Sequence, residues 1–278
     1  MTLYVNLRAG PYGAVCEPYV LEGDALANDP PQVTSTPWSD LPGRVKGKDV
    51  LLAAHGFNVS YEDGVQSLGR LETALDMRST EVFFGVLWPG DWMIPAINYP
   101  FEDKIAMHGG ALLAGFCNRW LAKARSVSFL SHSLGARVIL QAIEGLSRPA
   151  RRVCITAGAV NADCLTAEFA ASARDAGTIF TLSSREDMVL ALAFPLADPI
   201  ADVMDQDHRP FQRALGREGP LDPYGDNITP FEIPNAPPYG HGNYFPPGGP
   251  GDPSPDGEWK QAVAFMARAF RGQPQTWP

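Results

Sequence analysis

Short, unbroken apolar runs alternate with stretches of helical spacing through the middle of the chain. Asp49-Val50-Leu51-Leu52-Ala53-Ala54, Val82 to Leu87, Val127-Ser128-Phe129-Leu130, Val153-Cys154-Ile155-Thr156 and Ile179-Phe180-Thr181-Leu182 each have the length and apolarity of a strand buried on both faces. Between them, Val65, Leu68, Leu71, Ala74 and Leu75 recur at helical spacing behind Ser60, which with Asp63 resembles a capping box. Helical patterns also run from Phe101 to Ala124, from Ala136 to Leu146 and from Ala167 to Ala173. A closing helix over Trp259–Phe270 puts Ala262, Val263, Met266 and Phe270 on one face. Strands alternating with helices predict an α/β fold, a mostly parallel central sheet with helices on both faces.

The ends of the chain carry a weaker pattern. Leu3 to Leu7 predicts a short opening strand, but Glu17 to Gly47 is rich in Pro, Asp and Gly. Residues 1–48 are therefore expected to form an irregular extension with one short strand. Residues 194–251 are again rich in Pro, Gly and Asp and read as a long loop region, a length that tends to be functional or mobile. No repeat or clear linker divides the chain, so 1–278 is expected to be a single domain.

Composition narrows the partners. Apolar residues make up 45% and charged residues 19% of the 278, which is globular rather than disordered. A formal net charge of −9 opposes binding to phosphate backbones and to anionic membranes, so no nucleic-acid partner is expected. The first residues lack a basic region followed by an apolar stretch, and no apolar run is long enough to span a bilayer. The expectation is a cytoplasmic protein without a membrane span. Cys16, Cys117, Cys154 and Cys164 form no CxxC pair, and Asp222 and Asp226 do not match an ordered calcium loop, so neither a metal nor a cofactor is expected.

The chemistry concentrates at Ser131-His132-Ser133-Leu134-Gly135, which lies between a strand and a helix. This is the context of a nucleophile elbow: a tight turn lifts the Ser133 hydroxyl above the sheet, and small residues two places either side let strand and helix approach. Ser131 stands where Gly is more usual. The plainer alternative is a strand-to-helix loop with serine caps. As an elbow it implies an α/β-hydrolase architecture, in which the loop after the first buried strand supplies an oxyanion donor. Here that loop is His55-Gly56-Phe57-Asn58, so the backbone N–H of Phe57 or Asn58, together with that of Leu134, is the candidate oxyanion hole.

Chain order in this architecture runs Ser, then Asp or Glu, then His. Of five histidines, His55 and His132 belong to the motifs and His108 precedes Ser133. His208 sits among Asp205, Asp207 and Arg209 and reads as a solvated surface residue. His241, in the Gly-flanked Tyr239-Gly240-His241-Gly242-Asn243, is the candidate base. The acid is expected just after the fifth run, where Asp187 is the candidate and Glu186 its neighbour in competition; Asp198, Asp202 and Asp205 lie further on. A helix N-cap is the plainer role for Asp187.

Together these motifs resemble a bacterial group of largely uncharacterised α/β hydrolases that pairs a His-Gly-Phe/Tyr-Asn loop with a Trp-Pro turn and then Ser-His-Ser-Leu-Gly. The corresponding residues are His55 to Asn58, Trp88-Pro89-Gly90 and Ser131 to Gly135, continuing through Arg137-Val138, Ser184 to Asp187 and Gly240-His241. The resemblance implies esterase- or lipase-like activity. A carboxylesterase acting on a small-molecule ester through an acyl-enzyme on Ser133 is the leading expectation, with Trp88, Trp92, Met93 and Tyr99 as an aromatic and apolar substrate wall. The same triad also serves lipases, thioesterases, amidases and polyester hydrolases, and a non-catalytic binding protein that keeps the fold is the rival of a different class.

Overall fold

The computed structural model describes residues 1–10, 14–26, 31–90, 95–192, 213–235, 238–249 and 257–277. These contain the strands β1 (Thr2–Arg8), β2 (Val15–Asp24), β3 (Gln32–Ser35), β4 (Asp49–Ala54), β5 (Glu81–Leu87), β6 (Ser126–His132), β7 (Ala150–Thr156), β8 (Ala176–Ser183) and β9 (Ile228–Glu232). They form one sheet in the order β3-β2-β1-β5-β4-β6-β7-β8-β9. β1, β5, β4, β6, β7, β8 and β9 run parallel, and β2 and β3 add an antiparallel edge. The five apolar runs are β4 to β8. Val50 to Ala54 are all buried, as a strand covered on both faces requires.

The helices are α1 (Leu41–Val45), α2 (Tyr61–Leu75), α3 (Pro95–Trp120), α4 (Gly135–Glu144) and α5 (Ala170–Arg174), with a short helix Leu215–Glu218 and a closing helix Trp259–Arg271. From β4 the chain steps to β5 on one side, then crosses back to β6 on the other. Right-handed crossovers in opposite directions place α2 on one face of the sheet and α3, α4 and α5 on the other. The contacts agree: α2 packs against the closing helix, α3 against α4, and α4 against α5. Ser60 caps α2 as its spacing with Asp63 predicts, its Oγ accepting the Asp63 N–H at 3.1 Å.

Two regions differ from expectation. The stretch read as irregular contains β2 and β3. Pro18 and Gly23 disguise β2, yet the pairing slips between Asn6 and Arg8, and that bulge takes Pro18 where no regular ladder bond is needed. The Pro/Gly-rich region likewise contains β9, whose Pro230 is tolerated because β9 is an edge strand. The long helix begins earlier than its pattern predicts, at Pro95 instead of Phe101. Among the described residues, no helix is long and apolar enough to cross a membrane. Cys117, Cys154 and Cys164 are buried, and all four cysteines are free.

The register prepares the site. Ala54 pairs with Val86 on one side and Ser131 on the other, so β4, β5 and β6 end level with one another. His55, Trp88 and Ser133 therefore emerge side by side at the carboxyl edge, where the strand order reverses and α/β sheets open a crevice.

Candidate active site

β6 runs straight into the turn, and Ser133 follows it with φ 55°, in the left-handed region that non-glycine residues rarely occupy. The Ser133 N–H donates to Thr156 O at 3.1 Å, and the Ala136 N–H donates to Ser133 O at 3.1 Å, which holds the turn between β7 and α4. Gly135 is required by close approach: a Cβ there would lie 2.5 Å from His55 O and 2.9 Å from Ala54 O. Among the described residues, the Leu134 N–H has no acceptor in the protein. It opens α4, where the helix dipole adds positive potential beside Ser133.

The loop after β4 packs on this turn. A Cβ on Gly56 would fall 2.9 Å from His132 Nδ1 and 3.0 Å from Ser133 Cβ, so only glycine lets the two loops touch. Asn58 also has a positive φ, 56°, and its N–H donates to Gly90 O at 2.6 Å. That bond gives the Asn58 N–H a partner within the protein and removes it from the expected oxyanion donors Phe57, Asn58 and Leu134. Three side chains support the loop from beneath. Trp88 Nε1–H donates to His55 O at 2.8 Å, and its indole stacks on the His55 ring at 5.7 Å. Arg8 donates to Val59 O at 3.3 Å and Trp88 O at 3.2 Å, tying the loops after β4 and β5 together. His55 Nδ1–H donates to Gly56 O at 2.8 Å. Burial, with the nearby Arg8 charge, pushes the His55 pKa down to about 3, so the ring is neutral at ordinary pH.

Trp88 is thus placed differently from the expectation. It is fully buried and supports the loop after β4 instead of lining an open wall. Trp92 and Met93 lie outside the described residues, and Tyr99 falls within α3.

His241 opens a single helical turn, His241–Asn243. Its Nε2 lies 2.9 Å from Ser133 Oγ and its Nδ1 2.7 Å from Asp187 Oδ2. With Nδ1–H donating to the carboxylate, Nε2 is the nitrogen that accepts a hydrogen bond from the Ser133 hydroxyl. Asp187 has no exposed surface. Its Oδ1 accepts the Leu190 N–H at 3.0 Å, so one oxygen caps the helix that starts at residue 188 while the other meets the imidazole. The cap and the contact with His241 coexist on one carboxylate. His241 Nδ1 meets Asp187, and the Glu186 main-chain N–H donates to Ser184 Oγ at 3.2 Å. His208, Asp198, Asp202 and Asp205 lie outside the described residues, and His108 lies in α3.

The loop carrying His241 is held by bonds to its own carbonyls. Ser184 Oγ donates to Tyr239 O at 2.8 Å and His132 Nε2–H to His241 O at 2.9 Å. From α2, Ser67 Oγ donates to Pro246 O at 2.5 Å, and Arg70 donates to Pro247 O at 2.5 Å and Gly249 O at 3.1 Å. The Tyr239 hydroxyl lies within hydrogen-bond reach of two carbonyls, Asn243 O at 2.5 Å and Glu258 O, at the head of the closing helix, at 2.9 Å, with its one proton available to either. Ser67 and Arg70 carry no signal in the sequence, and His132, Ser184 and Tyr239 stand there only as members of motifs, with no role in holding this loop. Prolines and glycines leave carbonyls to be satisfied by donors far away in the chain, and no local spacing marks such donors.

A mostly parallel sheet wound in both directions from β4, with helices on both faces and an elbow at the carboxyl edge, is an α/β-hydrolase architecture. The chain belongs to a family described as alpha/beta hydrolase of unknown function (DUF900), which matches residues 39–221. That segment includes Ser133 and Asp187 and ends before His241. No curated protein matches the sequence. Among solved structures, Arabidopsis thaliana SOBER1 is similar with a TM-score of 0.47 and 12% identity over 81% of this chain and 99% of that one. A carboxylesterase from Mesorhizobium loti is similar with a TM-score of 0.42 and 14% identity over 92% and 94%. Acetyl xylan esterase 1 from Thermoanaerobacterium sp. JW/SL YS485 is similar with a TM-score of 0.39 and 12% identity over 86% and 82%.

Proposed function

We propose that this protein is a serine hydrolase that cleaves carboxylic esters of small molecules through an acyl-enzyme on Ser133. The observation that carries the reading is the continuous array from Asp187 Oδ2 through both nitrogens of His241 to Ser133 Oγ, with contacts of 2.7 and 2.9 Å. His241 takes the hydroxyl proton as Ser133 Oγ attacks the ester carbonyl carbon, and Asp187 holds the resulting imidazolium. The carbonyl oxygen becomes an oxyanion beside the Leu134 N–H, with the Phe57 N–H as second donor and the α4 dipole behind. Collapse of the intermediate expels the alcohol, protonated by His241. Water then gives its proton to His241, attacks the acyl carbon and regenerates Ser133 as the carboxylic acid departs.

The test is burst kinetics and steady turnover on p-nitrophenyl acetate and p-nitrophenyl octanoate, comparing the native protein with Ser133→Ala, alongside labelling by a fluorophosphonate. Expected are a burst, labelling of Ser133, and turnover lowered by roughly four or more orders of magnitude in the variant with its circular dichroism unchanged. Equal turnover in both proteins removes Ser133 from the mechanism. No turnover and no labelling of the native protein would favour a binding protein that keeps the fold.

A further inference from the structure

We infer that His132, the residue immediately before the nucleophile, is a positioning residue for His241. It holds the main chain of the base loop and seats that loop against the oxyanion loop. The inference rests on the serine-hydrolase reading of the same site.

Three observations converge on this ring. Its Nε2 lies 2.9 Å from the carbonyl oxygen of His241. A carbonyl only accepts, so Nε2 carries the proton and Nδ1 is bare. Its faces and edges meet the base loop: ring centroids are 4.8 Å from His241, 5.4 Å from Phe245 and 5.9 Å from Tyr244. On the opposite side, Nδ1 lies 2.9 Å from where a Cβ on Gly56 would stand. His132 therefore touches both loops that must be in register with Ser133. β6 continues through position 132, so the ring is carried by the last residue of a central strand, a more rigid mount than a loop.

The electrostatics suit that task. The titratable groups facing the ring are His241, Tyr244 and, further off, His55, and none of them is a carboxylate. Desolvation first, and the charge of His241 second, push the His132 pKa down to about 3. The ring remains a neutral single tautomer while His241 gains and loses its proton, so the bond that holds the loop is not disturbed by the chemistry next to it. A Nε2–H donor aimed at a main-chain carbonyl fixes where the loop sits without competing for the Nδ1–H that His241 donates to Asp187.

The experiment compares His132→Leu and His132→Gln with the native protein on p-nitrophenyl acetate, and measures the rate of fluorophosphonate labelling. Leu removes the donor and keeps bulk, whereas the terminal amide of Gln reaches the same carbonyl with an N–H. Expected is a kcat lowered about 10- to 100-fold in the Leu variant with KM within about threefold, and recovery to within about threefold of native in the Gln variant. A Leu variant within twofold of native, or a Gln variant as poor as Leu, overturns the inference. Should the Leu variant fail to fold, nitrogen-15 NMR of the histidine rings in the native protein decides instead, with the Gln variant identifying the His132 signals. A neutral ring protonated at Nε2 from pH 5 to 8 is expected, and a ring protonated at Nδ1 or charged at pH 6 overturns the inference. A native protein without turnover or labelling fails the hydrolase reading and this inference with it. A labelled, active native protein with an indifferent Leu variant fails this inference alone.

Discussion

The turn at Ser133 and the loop that carries His241 meet within 2.9 Å of each other, yet the chain builds them by different means. The turn is local. Five consecutive residues, a left-handed φ at Ser133 and the room left by Gly56 and Gly135 define it, with the ends of β4, β6 and β7 as its frame. The base loop follows a long Pro/Gly-rich stretch and owes its position to donors far away in sequence: Ser67 and Arg70 on α2, His132 on β6 and Ser184 after β8. A site assembled this way has one part fixed by close packing of near neighbours and one part fixed by several separate hydrogen bonds from distant donors. On the proposed mechanism, rate should be more sensitive than stability to changes in the loop, and the reverse should hold in the packed turn.

The largest expected effect concerns the link between the two. Asp187→Asn keeps the helix cap but reverses the polarity offered to His241 Nδ1, and should lower kcat on p-nitrophenyl acetate by about 10³- to 10⁴-fold. A loss below tenfold would separate Asp187 from the catalytic array. Next comes the turn itself. Gly135→Val would drive side-chain atoms into the His55 and Ala54 carbonyls, and should cost about 3 kcal/mol or more, or abolish folding. A urea midpoint unchanged from native would show that the turn is looser than its geometry.

Acid should affect the oxyanion-loop side in a defined direction. His55 is buried neutral, with its pKa at about 3 against an ordinary 6.5. Between these values the unfolded chain binds a proton that the folded chain refuses, so stability is full above pH 6.5 and falls as pH drops toward 3. At pH 5 the loss is about 2 kcal/mol from this residue, and His132 acts in the same direction. Urea midpoints at pH 7 and pH 5 test it, and equal midpoints would contradict it. The smallest effect is expected from Ser67→Ala, which frees the Pro246 carbonyl. It should cost about 1 kcal/mol of stability and lower kcat severalfold with little change in KM. A drop in stability with kcat unchanged would mean that the base loop is seated without help from α2.

How much was legible in advance follows the same division. The buried strands β4 to β8 were readable because a strand covered on both faces needs an unbroken apolar run. The elbow was readable because its steric demands fall on adjacent positions. β2 and β9 were not, because Pro18 sits at a bulge and Pro230 on an edge strand, and only pairing makes those prolines acceptable. The expected placement of Trp88 at a substrate wall failed for a related reason. An aromatic residue after a strand looks alike whether it faces outward or folds under a neighbouring loop, and here its N–H finds the His55 carbonyl beneath the surface. Asn58 was an open alternative to Phe57 until its N–H was seen bonded to Gly90 O.

By itself, the sequence determined the α/β alternation, the turn that presents Ser133, the glycine-lined loop beside it and the chain order in which candidate acid and base follow. These depend on periodicity and on contacts between near neighbours, which spacing records. Only the tertiary structure decided that the Asn58 N–H is taken up by Gly90 O, that Asp187 can cap a helix and meet His241 at once, and which distant side chains hold the His241 loop. Apart from the local cap, those depend on hydrogen bonds between residues separated by roughly thirty to one hundred and eighty positions, as in Asn58 with Gly90, Ser184 with Tyr239 and Ser67 with Pro246, and such pairs acquire meaning only when the sheet brings them together.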